Sequence, residues 1–238
     1  QRLDTPFIKK SGNFEETSWD NAIGIIKNKI MNSNPLKIGG FIGDLTNMET
    51  QFAIKDFFNK VLKSNYLDTR CDYTYLNLGE RKNYIFNSQI NGIEESDFIL
   101  LVGSNPRQEA TILNARIRKA CLNNKTKVYS FGDQGDLTYK YETIKNTTEE
   151  LKNLFEKQSN LYEEFKKAKK PLIVFGYSFF LLKSAKYLFD QCNKFLDDHK
   201  NNIENEWEPL NIISRDASTV GGYDLQIYGQ DYEFNYTL

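Results

Sequence analysis

The sequence predicts an α/β fold: an open, mostly parallel sheet with flanking helices, built from Rossmann-like βαβ units. Three observations carry that prediction. "DFILLVG" (97–103) is a near-continuous apolar run, the signature of a strand covered on both faces, and "KVYSFG" and "KKPLIVFG" repeat it. Between such runs lie segments whose apolar residues recur at helical spacing. Finally, 238 residues suffice for one large domain with a buried core, and 39% hydrophobic with 26% charged residues is an ordinary globular composition.

The elements follow in order. Thr17 with Asp20 makes an imperfect capping box. Trp19, Ala22, Ile23, Ile26 and Ile30 then predict an amphipathic helix of about four turns with one buried stripe. Asn34-Pro35 ends it, since the residue before proline is pushed out of the helical region. "LKIGGFIG" (36–43) reads as a short buried strand and a tight turn. A helix from about Asn47 follows, with Ile54, Phe57, Phe58 and Val61 on one face. Residues 66–92 are polar and aromatic with weak periodicity, and read as irregular with short elements. The strand at 97–103, a helix with Ala110, Leu113, Ile117 and Ala120 or Cys121 inside, and the strand at 127–132 make one βαβ crossover. Thr147 or Thr148 caps a charged helix to about Lys157, and a short helix lies around Leu161 to Ala168. "KKPLIVFG" is the third firm strand, 179–197 a further helix, and "PLNIIS" (209–214) a fourth, short strand. "DDHKNNIENEWE" (197–208) is the most loop-like insertion.

Composition removes several function classes. A net charge of −1 gives no reason to expect nucleic acid or an anionic membrane as partner. No apolar run reaches the roughly 20 residues of a membrane-spanning helix. Cys71, Cys121 and Cys192 are far apart and odd in number, with no Cys-x-x-Cys or Cys/His cluster. They encode neither a disulfide framework nor a zinc or iron–sulfur site, and read as packing residues. His199, the single histidine, sits in a polar stretch and reads as a solvated side chain. With one histidine no Ser or Cys triad can be built. Glu15-Glu16, Glu94-Glu95 and Asp197-Asp198 are sequence neighbours that point apart rather than converging on a substrate.

One stretch has the layout of a phosphate cradle. In open parallel sheets ligands sit beyond the carboxyl ends of strands, where loops lead into helices, and "GSNPRQEA" (103–110) lies at such a place. Gly103 permits close backbone approach, Ser104 and Asn105 can donate or cap, and Arg107 can pair with a phosphate. Against that, a single glycine is neither G-x-G-x-x-G nor a P-loop, and Glu109 in the first turn repels a phosphate. The residues equally suit a helix start with Pro106 at its first position and the basic residues on a solvated or subunit-facing surface.

"EESDFILLVGSNPR", "NARIRK" and "DLTY", in this order and separation, resemble the 75-kDa iron–sulfur subunits of respiratory complex I (NADH:ubiquinone oxidoreductase). "RLDTPFIKKSGNFEETSWDNAI", "AKKPLIVFG" and "WEPLNIISRDAS" agree in order, with 64–80 and 180–206 the loosest parts. That family joins a ferredoxin-like, cluster-bearing region to one similar to molybdopterin-dependent oxidoreductases such as formate dehydrogenase. The resemblance implies that residues 1–238 are the N-terminal portion of the latter domain, truncated relative to the family. It implies no cofactor in this chain, with iron–sulfur clusters and FMN in partner chains. It also implies a non-catalytic place in the peripheral arm beside the chain with the ferredoxin-like domain. The expected location is the matrix side of the mitochondrial inner membrane, or the cytoplasmic side of a bacterial one. The alternative is a fragment of a molybdopterin-dependent oxidoreductase. In molybdopterin enzymes the equivalent of Gly103, Ser104, Asn105, Pro106 and Arg107 helps hold a guanine dinucleotide; here Arg107-Gln108-Glu109 and "GDQGDLTY" depart from that pattern, and the loop reads as a relic. Arg107, Arg116, Arg118 and Lys119 are the candidates for contacts between subunits or domains.

Overall fold

A computed structural model describes residues 3–43, 45–70 and 77–229. The chain begins with a hairpin of β1 (Phe7–Lys10) and β2 (Asn13–Glu16), antiparallel with Phe7 opposite Glu16. α1 (Trp19–Met31) follows. Its cap is Ser18, whose Oγ accepts the Asn21 N–H at 3.3 Å, while Thr17 instead accepts from the Asn21 side chain at 2.8 Å. The helix stops before Asn34-Pro35, which open a turn of 3₁₀ helix, Pro35–Lys37. The expected buried stripe is overturned: α1 has no buried residue, and Trp19, Ile23 and Ile26 are 64%, 58% and 58% exposed. Periodicity specifies the apolar face of a helix but not what covers it.

The strand expected over 36–43 shrinks to β3 (Gly40–Phe41), with Phe41 exposed and only Ile42 buried behind it. α2 (Met48–Asp56) is capped by Asn47, which accepts the Thr50 N–H at 2.9 Å. It runs on as a π-helical turn, Phe57–Leu62. The wider turn shifts the phase: Phe58 and Leu62 point inward, and Phe57 and Val61, expected on the inner face, are exposed. β4 (Leu67–Asp68) pairs in parallel with β3, so this βαβ unit closes a separate two-stranded sheet. Ile42, Phe58, Leu62, Leu67 and Ile227 form its small core. Cys71 lies outside the described residues. Short elements, including a 3₁₀ turn at Arg81–Asn83 and α3 (Gln89–Gly92), occupy the stretch read as irregular.

The main sheet holds β5 (Phe98–Val102), β6 (Lys127–Phe131), β7 (Glu142–Ile144), β8 (Pro171–Phe175) and β9 (Leu210–Ile212), all parallel, in the order β7-β6-β5-β8-β9. Every residue of β5 and β8 is buried. Alternate side chains serve two cores, as a pleated strand requires. Phe98, Leu100, Val102, Ile173 and Phe175 face α6 (Thr148–Phe155), α7 (Asn160–Phe165) and α9 (Ala185–His199). Ile99, Leu101, Leu172 and Val174 face α5 (Thr111–Asn124) through Leu113 and Ile117. Each such side chain contributes about 1.5–3 kcal/mol by leaving water.

Two differences stand out in this half. The helix expected over 179–197 splits into the single turn α8 (Tyr177–Phe180) and α9, because both Phe179 and Phe180 pack inward against Phe175 before the chain reorients. His199 is not a solvated loop residue. It is 4% exposed in the last turn of α9, its Nδ1 lies 2.7 Å from the Phe195 carbonyl, and its ring packs on Phe165 and Phe195. Thr147 caps α6, accepting the Glu150 N–H at 3.2 Å. A final short helix, α10 (Thr219–Asp224), packs beside α2, and none of the described helices is long and apolar enough to cross a membrane.

Candidate functional site

The strand order fixes where a ligand would be sought. From β5 the chain steps outward through β6 and β7, then returns to place β8 and β9 on the opposite side of β5. The switch point therefore falls between the carboxyl ends of β5 and β8, the crevice where open α/β sheets bind ligands. The loop after β5 starts at Gly103 and the loop after β8 at Gly176, so the sequence-predicted cradle does lie at the switch point.

That crevice is filled by the chain itself. A Cβ on Gly176 would stand 2.4 Å from the Gly103 carbonyl oxygen and 2.5 Å from Ser104 Cβ. A Cβ on Gly103, whose φ is +63°, would stand 2.6 Å from the Phe179 nitrogen. The two loops thus touch backbone to backbone, and the Ser178 hydroxyl donates to the Gly103 carbonyl at 2.7 Å. Glycine is required at Gly103 for both reasons, its left-handed backbone and the close approach.

The helix after the loop is not continuous. α4 (Pro106–Glu109) makes one turn with Pro106 at its first position, and Ala110 (φ −150°, ψ 69°) breaks it from α5. Asn105 does not cap it; its side-chain amide donates instead to the Gln134 carbonyl at 3.2 Å. Two donors of the loop are taken up by Glu109. Its carboxylate accepts the Asn105 N–H at 2.9 Å and the Ser104 hydroxyl at 3.3 Å. The donors that would greet a phosphate already hold a carboxylate of this chain, so an incoming phosphate would have to displace a like charge.

Arg107, which by residue type can pair with a phosphate, turns to Asp136, with Nη1 2.7 Å from its carboxylate. The loop after β6 closes on itself around this pair. Asp136 also accepts the Thr138 N–H at 2.8 Å, and that bond and then Arg107 hold its carboxyl below the usual range. Asp133 is lowered likewise, first by the Tyr141 hydroxyl and then by the Gly135 N–H. Beneath, Asn114 of α5 donates to the Leu137 carbonyl at 3.1 Å and accepts from the Tyr139 hydroxyl at 2.9 Å. Burial raises the Tyr139 phenol well above its ordinary value.

The other basic candidates lie further along α5 and engage the same chain. Lys119 (2.6 Å) and Arg116 both reach Glu94, depressing its carboxyl, and Arg118 donates to the Thr138 carbonyl. Arg107, Arg116 and Lys119 keep roughly half of their side-chain surface in solvent. Sequence reasoning passed over Gly176 and Ser178. The signal was present in "VFGYS", which ends its strand in a glycine as "LLVGSN" does. On the β9 side the Arg215 guanidinium lies 4.9 Å over the Tyr177 ring. A groove of about 560 Å³ runs beside the loop, between Ile85, Phe86, Ile90, Ala110, Ile112 and Ile212; Glu109 is the only charged residue among those lining it. Among the described residues no three His, Cys, Asp or Glu side chains are grouped as metal ligands.

Comparison with known proteins adds identity to this geometry. Residues 2–234 match the family of molybdopterin oxidoreductases. The chain is 36% identical over 225 residues to an NADH-quinone oxidoreductase subunit of Rickettsia bellii, a match that covers 94% of this chain and 33% of that protein. It is 35% identical over 231 residues to the mitochondrial NADH-ubiquinone oxidoreductase 78 kDa subunit of Neurospora crassa, over 94% of this chain and 31% of that one. It is also 35% identical over 242 residues to the NADH-ubiquinone oxidoreductase 75 kDa subunit of Reclinomonas americana, at 95% and 35%. The chain spans about a third of the length of the curated relatives it matches.

Proposed function

The chain belongs to the molybdopterin oxidoreductase family, and from that premise we propose that it is a structural, non-catalytic component of the peripheral arm of respiratory complex I. The names of its relatives, a bacterial NADH-quinone oxidoreductase subunit and the 75 and 78 kDa NADH-ubiquinone oxidoreductase subunits, support the assembly. One observation carries the non-catalytic part: the Glu109 carboxylate occupies the loop donors at the switch point, where Gly103 and Gly176 pack face to face. The residues present do not fit the diphosphate of a guanine dinucleotide there, and no chemical step is assigned to the group. In this reading the family's βαβ frame is kept as a scaffold. NADH oxidation and electron transfer take place on FMN and iron–sulfur clusters held by partner chains, foremost the chain with the ferredoxin-like domain. The arm stands on the matrix face of the mitochondrial inner membrane, or on the cytoplasmic face in a bacterium.

Gentle solubilisation of the source membranes, separation by native size and an in-gel NADH oxidation stain test the proposal, with molybdenum analysis of the same band. Migration in a large, NADH-oxidising, molybdenum-free assembly is the expected result. Migration as a small species, or together with molybdenum, would overturn it.

A further inference from the structure

The described residues build two bodies. The five parallel strands and their helices enclose two cores, while β3, α2 and β4 hold a third around Phe58 and Leu62. Two strands of two residues each are too little sheet to stand alone, and the small body takes one of its sides from much later in the chain. Ile227, 1% exposed, completes its core together with Leu225. The Ile227 carbonyl accepts the Thr69 N–H at 3.2 Å and the Thr69 hydroxyl at 3.0 Å. Beyond it the Gly229 N–H donates to Asp68 at 2.8 Å, and Arg70 donates to the Gly229 carbonyl at 2.9 Å. Lys55 and Gln51 of α2 donate to the carbonyls of Leu225 and Ser218 at 2.5 and 3.3 Å. A Cβ on Gly222 would stand 2.9 Å from the Thr69 side chain, so α10 lies directly against the end of β4.

Residues 218–229 meet the five-stranded body in a different way. The Asp224 carboxylate takes the Arg81 guanidinium in a two-point grip, with Nε and Nη2 each at 3.0 Å, and accepts the Tyr84 hydroxyl at 2.9 Å. The Tyr223 ring meets Tyr84 edge-on at 5.5 Å. Arg81 and Tyr84 precede the stretch that ties to β9, where the Ile212 N–H donates to the Ile85 carbonyl at 3.1 Å. Among the described elements, none of β3, α2 and β4 packs extensively on the five strands. We propose that β3, α2, β4 and residues 218–229 form one arm, and that Asp224 held by Arg81 and Tyr84 is the catch that closes this arm on the five-stranded body. The arm grips residues 218–229 through a buried core and main-chain carbonyls. The catch is a side-chain contact in which Arg81 is 60% exposed, so it yields first. Closure has a consequence beside the cradle loop: Val220 of α10 lines the apolar groove together with Ile85, Ile112 and Ile212. Release of the catch carries Val220 away and widens the groove next to Glu109.

Hydrogen exchange of the full chain in low urea, read by mass spectrometry, tests the arm. In the wild type, peptides from 45–70 and from 219–229 should exchange at one shared rate, faster than those of β5 and β8. Thr69→Val, which removes the hydroxyl bond to Ile227, should speed both arm peptides alike. Protection at 219–229 that stays with β5 and β8 overturns the inference, because the segment then belongs to the body. Asp224→Asn weakens the catch without changing its shape, and should speed both arm peptides about fivefold while leaving β5 and β8 unchanged. Arg81→Gln, from the body side of the catch, should do the same. Arm peptides that ignore both variants, or β5 and β8 accelerated equally, overturn the inference. Alkylation of Val220→Cys reads the groove: adding Asp224→Asn should raise its rate by a similar factor, and an unmoved rate overturns the claim that the arm closes the groove.

Discussion

Gly176→Ala is the most direct probe of the closed crevice. Gly176 has φ −100° and ψ 175°, a backbone any residue adopts, so the substitution introduces no conformational strain of its own. All of its effect comes from the added methyl, which would sit 2.4 Å from the Gly103 oxygen, 2.5 Å from Ser104 Cβ and 2.7 Å from Ser104 Cα. Carbon–carbon contact needs about 3.5–4.0 Å, so the loops must part by roughly 1 Å. Overpacking against backbone of this kind costs about 1–3 kcal/mol. Parting also stretches the bond from the Gly176 N–H to the Val102 carbonyl (2.9 Å) and that from Ser178 to Gly103 (2.7 Å). Each such bond contributes about 0.5–1.5 kcal/mol. The expected loss is about 2–4 kcal/mol, or roughly 5–15 °C in melting temperature for a chain of this size. Urea unfolding followed by circular dichroism measures it. Gly24→Ala is the internal control: it lies within α1 with nothing inside 4 Å of its Cβ, and should stabilise by about 0.5–1 kcal/mol. A Gly176→Ala chain within about 0.5 kcal/mol of wild type would mean that the loops do not touch and that the crevice is open.

Four further outcomes follow from single features. Glu109→Ala should lower stability by about 1 kcal/mol in the same urea assay, because the Asn105 N–H loses its acceptor; an unchanged midpoint would show that the carboxylate does not occupy the loop. His199→Ala should cost about 2–4 kcal/mol through lost ring packing, yet leave NADH oxidation by the assembled band intact, and a fall in turnover without a fall in stability would contradict its structural role. Lys127 and Lys167 hold the Glu164 carboxyl down to about 2, below its unfolded value of about 4.3, so its stabilisation is full above that higher value and disappears as pH falls toward 2. Unfolding curves of wild type and Glu164→Gln should therefore converge on acidification, and curves that stay parallel would refute the pairing. Burial raises the Cys192 thiol and pushes Cys121 up to about 11, so alkylation at pH 8 with peptide mapping should find both unmodified until denaturant is added.

The central strands were legible because β5, β6 and β8 are covered on both faces, which writes an apolar run into the sequence. β7 was not, since Glu142 and Thr143 are exposed at the sheet edge and carry no such run. The hairpin was missed although Ser11-Gly12, both at positive φ, is a turn of the kind such sequences announce. His199 was misplaced by its polar neighbours, yet it continues the α9 stripe of Cys192, Phe195 and Leu196 at helical spacing. The first-turn position of Glu109 was readable and its clash with a phosphate was anticipated; its bond back to Asn105 was not. The contact of Gly103 with Gly176 depends on β8 lying beside β5, a fact of strand order that no local pattern encodes.

The two ends of the chain's surface differ in what they leave undone. At the switch point four donors have partners within the chain: Asn105 N–H and the Ser104 hydroxyl in Glu109, Arg107 in Asp136, and Ser178 in Gly103. A ligand arriving there gains only what it can exceed after breaking those bonds, and each net hydrogen bond is worth about 1 kcal/mol. On the hairpin and α1 the opposite holds, because each bare Ile or Trp still has about 1.5–3 kcal/mol to gain from burial. Binding free energy flows to the surface where it has not yet been spent. Anything that covered α1 would raise the melting temperature of the whole chain by mass action, and a nucleotide offered at the switch point should leave that temperature unchanged.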